Sequence, residues 1–189
     1  MNAKSAIPKL QDLINTEKDS AVIITAAHSL IQLGDPIGFN VYYADLTGER
    51  KFGQGLLEEQ LKMLNDPRKM ARIGFEQAIG FVPFGGISYT AFKMIRKDSV
   101  SAVRAAAAKV LADNPDPKTA EALVNAATSD KSWLVRDAAL DAISHRGDPT
   151  LSSRIVPALN DNKSIVRYTA AAAIIHLADI KSANRASTN

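Results

Sequence analysis

Three ionisable residues in the second half of the chain, Asp137, Asp141 and His145, are spaced four positions apart. On an α-helix this spacing places them on one face. Carboxylates and imidazoles ligate transition metals and are also the usual groups of acid–base catalysis. His176 lies at the matching position of a later segment of similar sequence. Two neighbouring helices could therefore bring these four residues toward one metal ion.

The distance between packed helices argues against such a metal site. Helix axes lie about 10 Å apart, whereas metal–nitrogen bonds are about 2 Å long, so both histidines would have to lean toward the ion. No nucleophile has a histidine base at a visible spacing. The sequence also shows no cause for the raised pKa that a general acid needs. We therefore predict no catalytic residue, no metal and no cofactor, and a protein that is not an enzyme.

Composition excludes further classes of chemistry. The 189 residues include no cysteine, which excludes disulfide scaffolds, thiol catalysis and cysteine-ligated metals. Lys and Arg total 23 against 20 Asp and Glu, and a net charge of +3 does not by itself indicate nucleic-acid binding. One basic cluster is interrupted by acidic residues, as is typical of a solvated face; it comprises Lys62, Arg68, Lys69, Arg72, Lys93, Arg96 and Lys97.

An internal repeat organises the chain. Three segments beginning at Asp98, Asp130 and Asp161 share the pattern Asp, four residues, then Val-Arg, and a small-residue stretch follows each. Their offsets are 32 and 31 residues. Two weaker copies lie at 17–36, where Val22 and Ile23 replace Val-Arg, and at 65–81. A fixed period of this length indicates a repeat architecture.

A shorter amphipathic segment precedes each copy, so the unit is helix–turn–helix. These segments are Ser5–Asn15, Gly55–Leu64, Ser88–Lys97, Lys118–Thr128 and Thr150–Asn160. The chain contains 30 alanines, and alanine is the strongest helix former. A single pair cannot bury its apolar stripe, so stacked pairs must share one core. The predicted fold is all-α, with about five helix pairs.

The Asp-x4-Val-Arg spacing, the alanine that follows and the period of about 32 residues resemble HEAT repeats, most closely the bacterial HEAT-like repeats of the phycobilisome-lyase type. The resemblance implies a right-handed α-solenoid whose second helices line a concave partner surface. It also implies an Asp–Arg ladder, in which each Arg reaches the Asp of its own or the next turn. The ladder residues are Asp98, Arg104, Asp130, Arg136, Asp161 and Arg167.

The predicted organisation is a single repeat domain over residues 1–180, followed by a polar, frayed tail at 181–189. The units span about 1–36, 55–83, 84–117, 118–149 and 150–180, and Pro157 should kink or shorten the first helix of the last unit. Residues 37–54 do not fit the repeat and are predicted to form one non-helical insertion. Their β-branched and aromatic residues, with a Thr47-Gly48 turn signal, are typical of a short hairpin or an ordered loop.

Two surfaces are candidates for partner binding. The insertion contributes Phe39, Tyr42, Tyr43 and Phe52, which either cover a neighbouring helix or contact a partner. The solvent-facing stripe of the second helices contributes Arg72, Glu76, Lys109, Asp137, Asp141 and Tyr168. This stripe has mixed charge, unlike the basic surface that follows a phosphate backbone.

The predicted function is a non-catalytic scaffold that binds a protein or peptide through the concave face and the aromatic insertion. The alternative is a nucleic-acid-binding HEAT-like protein similar to DNA glycosylases, for which Trp133 beside Asp137 is the only pointer. A third reading, a phycobilin-lyase-like role, comes from the resemblance alone. We expect a soluble monomer, cytoplasmic or exported after removal of a signal peptide, with no membrane contact.

Overall fold

A computed structural model of the protein describes residues 3–50 and 99–186. All regular structure in these two ranges is helical, which confirms the all-α repeat fold. The α-helices are α1 (Ile7–Thr16), α2 (Ser20–Gln32), α3 (Gly38–Thr47), α4 (Ser99–Val110), α5 (Pro117–Ser129), α6 (Trp133–Arg146) and α7 (Ser164–Ala186). Three 3₁₀ helices span Ala3–Ala6, Leu111–Asp113 and Pro149–Asn160.

The predicted turn residues define where the helices begin and end. Asp116 caps α5 by accepting a hydrogen bond of 2.8 Å from the Lys118 N–H, and Pro117 takes the first helical position. Proline suits that position because its missing N–H has no partner there in any case. Gly147 ends α6 in the left-handed region, with φ of +66°. These signals recur in successive pairs, so the pairs share one geometry.

The first helix of the last pair departs from α-helical geometry. The sequence predicted that Pro157 would kink or shorten this helix. Residues Pro149–Asn160 form a 3₁₀ helix with Pro157 inside it. Proline has no N–H to donate, and its ring clashes with the carbonyl four residues earlier, so an α-helix is disfavoured there. The segment still buries Leu151, Ile155 and Ala158 against the stack.

The predicted non-helical insertion at 37–54 is wrong over its first part, because residues Gly38–Thr47 form α3. Phe39, Tyr42 and Leu46 recur at helical spacing and are all buried. Burial of this apolar face outweighs the strand preference of aromatic and β-branched residues, since such preferences are weak against tertiary packing. The Thr47-Gly48 turn signal instead marks the helix end, where Gly48 has φ of +79°.

Helix α3 is also part of the stack. It packs against α2, α4 and α5. Arg104 of α4 donates a hydrogen bond of 2.8 Å to the Leu46 carbonyl near the end of α3. Arg136 and Arg167 instead bond the carbonyl six residues earlier, of Asp130 and Asp161, at 2.7 and 2.8 Å. Helix α3 is therefore tied to α4 by a ladder arginine and packs within the stack.

The C-terminal residues also differ from the prediction. Helix α7 continues to Ala186, so residues 181–186 are helical and not a frayed tail. Lysine, alanine and arginine are good helix formers, and Ser182 Oγ donates to the Ala178 carbonyl at 3.0 Å. All six residues are exposed, so this extension lies outside the core.

Candidate functional site

The Asp–Arg ladder provides the rigid frame on which the candidate site stands. Arg104 pairs with Asp130 at 2.5 Å, and Arg136 pairs with Asp161 at 2.5 Å. Both ion pairs therefore join one repeat to the next. The within-copy pairings Asp130/Arg136 and Asp161/Arg167 are made through the Asp backbone carbonyl and not through the carboxylate. Asp98, the first predicted ladder carboxylate, lies outside the described residues.

The Arg136–Asp161 pair is the most enclosed part of this ladder. Its two side chains are 10% and 9% exposed, and Nε and one terminal nitrogen of Arg136 donate to the two carboxylate oxygens at 2.5 and 2.9 Å. This bidentate bond, ahead of the opposing effect of burial, lowers the pKa of Asp161 and raises that of Arg136. Such a pair fixes both distance and angle between repeats.

A row of charged side chains crosses the outer faces of the second helices. We call it the second-helix stripe, and it consists of Lys109, Asp113, Asp137, Asp141, His145 and Tyr168. Its members bridge successive repeats: Lys109 Nζ lies 3.9 Å from Asp141, and His145 Nε2 lies 3.2 Å from Asp113. These four side chains are between 51% and 73% exposed. Pairs this exposed contribute little to stability, so the stripe remains available to a partner.

Asp137 differs from the other acids of the stripe because it is half-buried. Burial is the main cause that raises its pKa, and the nearby charge of Asp141 adds to the effect. A hydrogen bond of 2.6 Å from the Thr169 hydroxyl on α7 and the charge of Lys109 act in the opposite direction. Sequence analysis found no cause for a raised pKa here, because the burial of Asp137 is not visible in the spacing of the carboxylates.

Tyr168 is the exposed aromatic residue of the stripe. Its side chain lies next to Thr169 on α7 and is 70% exposed. A tyrosine presents a rigid ring and a hydroxyl with few rotatable bonds, which makes it an efficient contact residue. The stripe thus combines an acidic row with one aromatic side chain at its C-terminal end.

The aromatic residues of the predicted insertion do not form an exposed surface. Phe39 and Tyr42 are 9% and 8% exposed within the core, so they are unable to contact a partner directly. Burial raises the pKa of Tyr42 to about 12. Tyr43 is half-buried and packs against the same core. Of the two interpretations left open, covering a neighbouring helix is the one these positions fit.

Other predicted site residues lie outside the described part of the chain. They are Phe52, Arg72 and Glu76, together with the whole basic cluster from Lys62 to Lys97. Trp133, the pointer to a glycosylase-like site, is half-buried and packs on the hydrophobic core as the first residue of α6. In the ranges 3–50 and 99–186, no three His, Asp or Glu side chains are grouped so that they could hold a metal ion.

Stacked helix pairs held in register by a repeated Arg–Asp ladder define a helical-repeat protein. The family model for HEAT repeats matches residues 90–175, so this part of the chain is similar to HEAT repeats. No curated protein matches the chain. Among the described helices, none is both long enough and apolar enough to cross a membrane.

Proposed function

We propose that the protein is a non-catalytic scaffold that binds a partner protein or peptide through the second-helix stripe. HEAT repeats generally mediate protein–protein interactions. In helical arrays the second helices present an extended surface along which a partner lies. The stripe has the required properties, because all its side chains except the half-buried Asp137 are exposed, and the enclosed ladder pair Arg136–Asp161 holds neighbouring repeats together.

The charge of the stripe indicates the chemistry of the partner. Asp113, Asp137 and Asp141 oppose the single formal positive charge of Lys109, so the stripe carries a net charge of −2 with His145 neutral. Electrostatic complementarity favours a partner segment rich in Lys and Arg. The same charge repels a phosphate backbone, so no observation on the described residues favours nucleic-acid binding or the phycobilin-lyase reading.

The environment of Asp137 is the observation that carries the proposal. Its half-buried carboxylate lies beside the charge of Asp141, and both effects oppose its ionisation. The Thr169 hydrogen bond and the charge of Lys109 offset these two effects only in part, so a further cation beside the carboxylate would be favourable. A partner ammonium or guanidinium placed there would stabilise the ionised form, and that gain appears only on binding.

A comparison of defined probes tests this proposal. The wild type should bind a fluorescent Lys/Arg-rich peptide and release it as salt is raised, and it should bind a Glu-rich peptide of equal length and a DNA duplex far less. The variant Asp137→Asn/Asp141→Asn should lose at least about tenfold in affinity for the basic peptide.

One double variant with the same charge change serves as the control. Asp12→Asn/Asp179→Asn removes two exposed carboxylates outside the stripe and should leave basic-peptide affinity within about twofold of the wild type. Equal losses in both double variants would show a non-specific charge effect and contradict a site on the stripe. Preference for the duplex over the basic peptide would overturn the protein-binding proposal in favour of the nucleic-acid alternative.

A further inference from the structure

The ladder has an unmatched guanidinium at its C-terminal end. Arg104 and Arg136 each pair with the carboxylate at the end of the first helix of the next repeat. Arg167 holds the same position in α7 and makes the same bond to the carbonyl of its own pair, Asp161, at 2.8 Å. Within the described residues no ion pair follows it. Arg167 is therefore a ladder arginine placed to accept one more carboxylate.

An unmatched carboxylate lies at the other end, at Glu17. Asp130, Asp161 and Glu17 each end a first helix in extended backbone geometry, with ψ of 142°, 147° and 148°. Each carboxylate also accepts a hydrogen bond from the N–H two residues later, at 2.8, 2.8 and 3.3 Å. Glu17 thus has the local geometry of a ladder acid, and among the described residues no arginine pairs with it.

Apolar side chains near both ends of the ladder are exposed to solvent. Five positions after the ladder acid lie Val22, Val135 and Val166, which are 37%, 0% and 0% exposed. Val22 is therefore exposed where its two equivalents are buried. At the opposite end, Val156 in the first helix of the last pair is 45% exposed.

The last helix pair exposes several apolar side chains. Besides Val156 it exposes Leu159, Ile165 and Ile175, which are 37%, 47% and 62% exposed. Exposed apolar side chains, together with a ladder arginine that has no carboxylate from a following repeat among the described residues, resemble one side of an inter-repeat interface. The ladder specifies what completes it, namely a helix pair whose first helix ends in a carboxylate.

We propose that two copies of this chain stack end to end, with Glu17 of the second copy on Arg167 of the first. Each copy then continues the array of its neighbour. The contact is heterologous, because one end face meets the other, and it leads to open chains or a closed ring. This differs from the monomer expected from the sequence. It does not depend on the second-helix stripe, which lies on the helix faces and not at the ends of the stack.

A charge-swap experiment tests the stacking. Sedimentation velocity of the wild type over a range of concentrations should show reversible growth beyond the monomer. Arg167→Glu and Glu17→Arg should each weaken this association by about tenfold or more, since each puts like charges in contact. Lys118→Glu reverses an exposed charge away from both end faces and should associate as the wild type does.

Mixing the two single variants provides the decisive readout. In the mixture, Arg167 of the Glu17→Arg variant meets the unchanged Glu17 of the Arg167→Glu variant. At the other kind of contact the two substituted residues meet, and they form the same ion pair with the charges reversed. The mixture, and likewise the double variant Glu17→Arg/Arg167→Glu, should therefore associate again. Recovery on mixing also shows that both single variants are folded. A wild type that stays monomeric, single variants that associate normally, or a mixture that fails to recover would each overturn the proposal.

Discussion

The guanidinium of Arg104 donates a hydrogen bond of 2.8 Å to the backbone carbonyl of Leu46, 58 residues earlier in the chain. The same side chain pairs with Asp130 of the following repeat at 2.5 Å. One residue therefore ties the end of α3 to α4 and to the next helix pair. This arrangement makes residues 38–47 a member of the repeat stack, which no local sequence pattern indicates.

The enclosed ladder pair should be important for stability. Arg136→Ala would leave the Asp161 carboxylate, 9% exposed, without its bidentate partner. Removing one member of a buried ion pair typically costs about 3–5 kcal/mol, so the free energy of unfolding should fall by about that amount. Urea denaturation followed by circular dichroism measures it.

The exposed pair Arg154–Glu121, at 2.7 Å, offers the matched control for that experiment. Its side chains are 40% and 53% exposed, so Arg154→Ala should cost less than about 1 kcal/mol. Equal losses in Arg136→Ala and Arg154→Ala would contradict a special role for the ladder.

Acid should weaken the same pair. The Arg136 hydrogen bond lowers the pKa of Asp161 below its unfolded value, so its contribution is fully present above that unfolded value, about 4, and is lost as pH falls through the folded pKa. Stability of the wild type should therefore decline from about pH 4 downward. In Arg136→Ala this part of the decline should be smaller, and an unchanged acid slope would argue against the linkage.

Asp137 should affect the pH dependence of stability in the opposite direction. Burial raises its pKa, so its ionised form is disfavoured in the folded protein, and stability is lost as pH rises through the folded pKa. Asp137→Asn retains an oxygen that can accept the Thr169 hydrogen bond and removes the charge. We expect it to be more stable than the wild type at pH 7, with a difference that vanishes under acid conditions. A destabilised Asn variant at pH 7 would contradict this account of Asp137.

Close contact between α2 and α3 requires glycine at position 38. A Cβ on Gly38 would overlap the Ala27 carbonyl oxygen and approach Ile31 Cγ1 to 2.8 Å. Gly38→Ala should therefore destabilise the protein by about 1–3 kcal/mol, as overpacking usually does. Asn40→Ala, on the exposed face of the same helix, should change stability by less than about 0.5 kcal/mol. Thermal melts of the two variants provide the comparison.

The sequence predicts the C-terminal pairs well because their pattern is local. Pro117 after Asp116, the Val135-Arg136 step and Gly147 each act within a few residues, and helix bounds follow from them. Local pattern does not predict the structure of residues 38–47. Their aromatic content suggests a strand, but contacts with α4, far along the chain, make them helical. Periodicity carries no information on a partner so distant in sequence.

Local sequence pattern also does not show which aspartate each ladder arginine pairs with. Asp130 is close in sequence to Arg136, yet its carboxylate pairs with Arg104, 26 residues away. A fixed Asp–Arg spacing is equally compatible with pairing inside a repeat or between repeats, and only the stacking distance decides. The hydrogen bond from Thr169 to Asp137 is a second contact between neighbouring repeats that the local pattern does not reveal.

Site-specific photo-crosslinking tests the central claim, that the second-helix stripe binds a partner protein. A benzoyl-phenylalanine placed at Tyr168, which is 70% exposed, should crosslink a protein from lysate of the native host, and Asp137→Asn/Asp141→Asn in the same chain should abolish the product. The same probe at the exposed Ser153, on the first-helix side, should give none. A product that forms equally at both positions, or that persists without the two carboxylates, would contradict binding through the stripe.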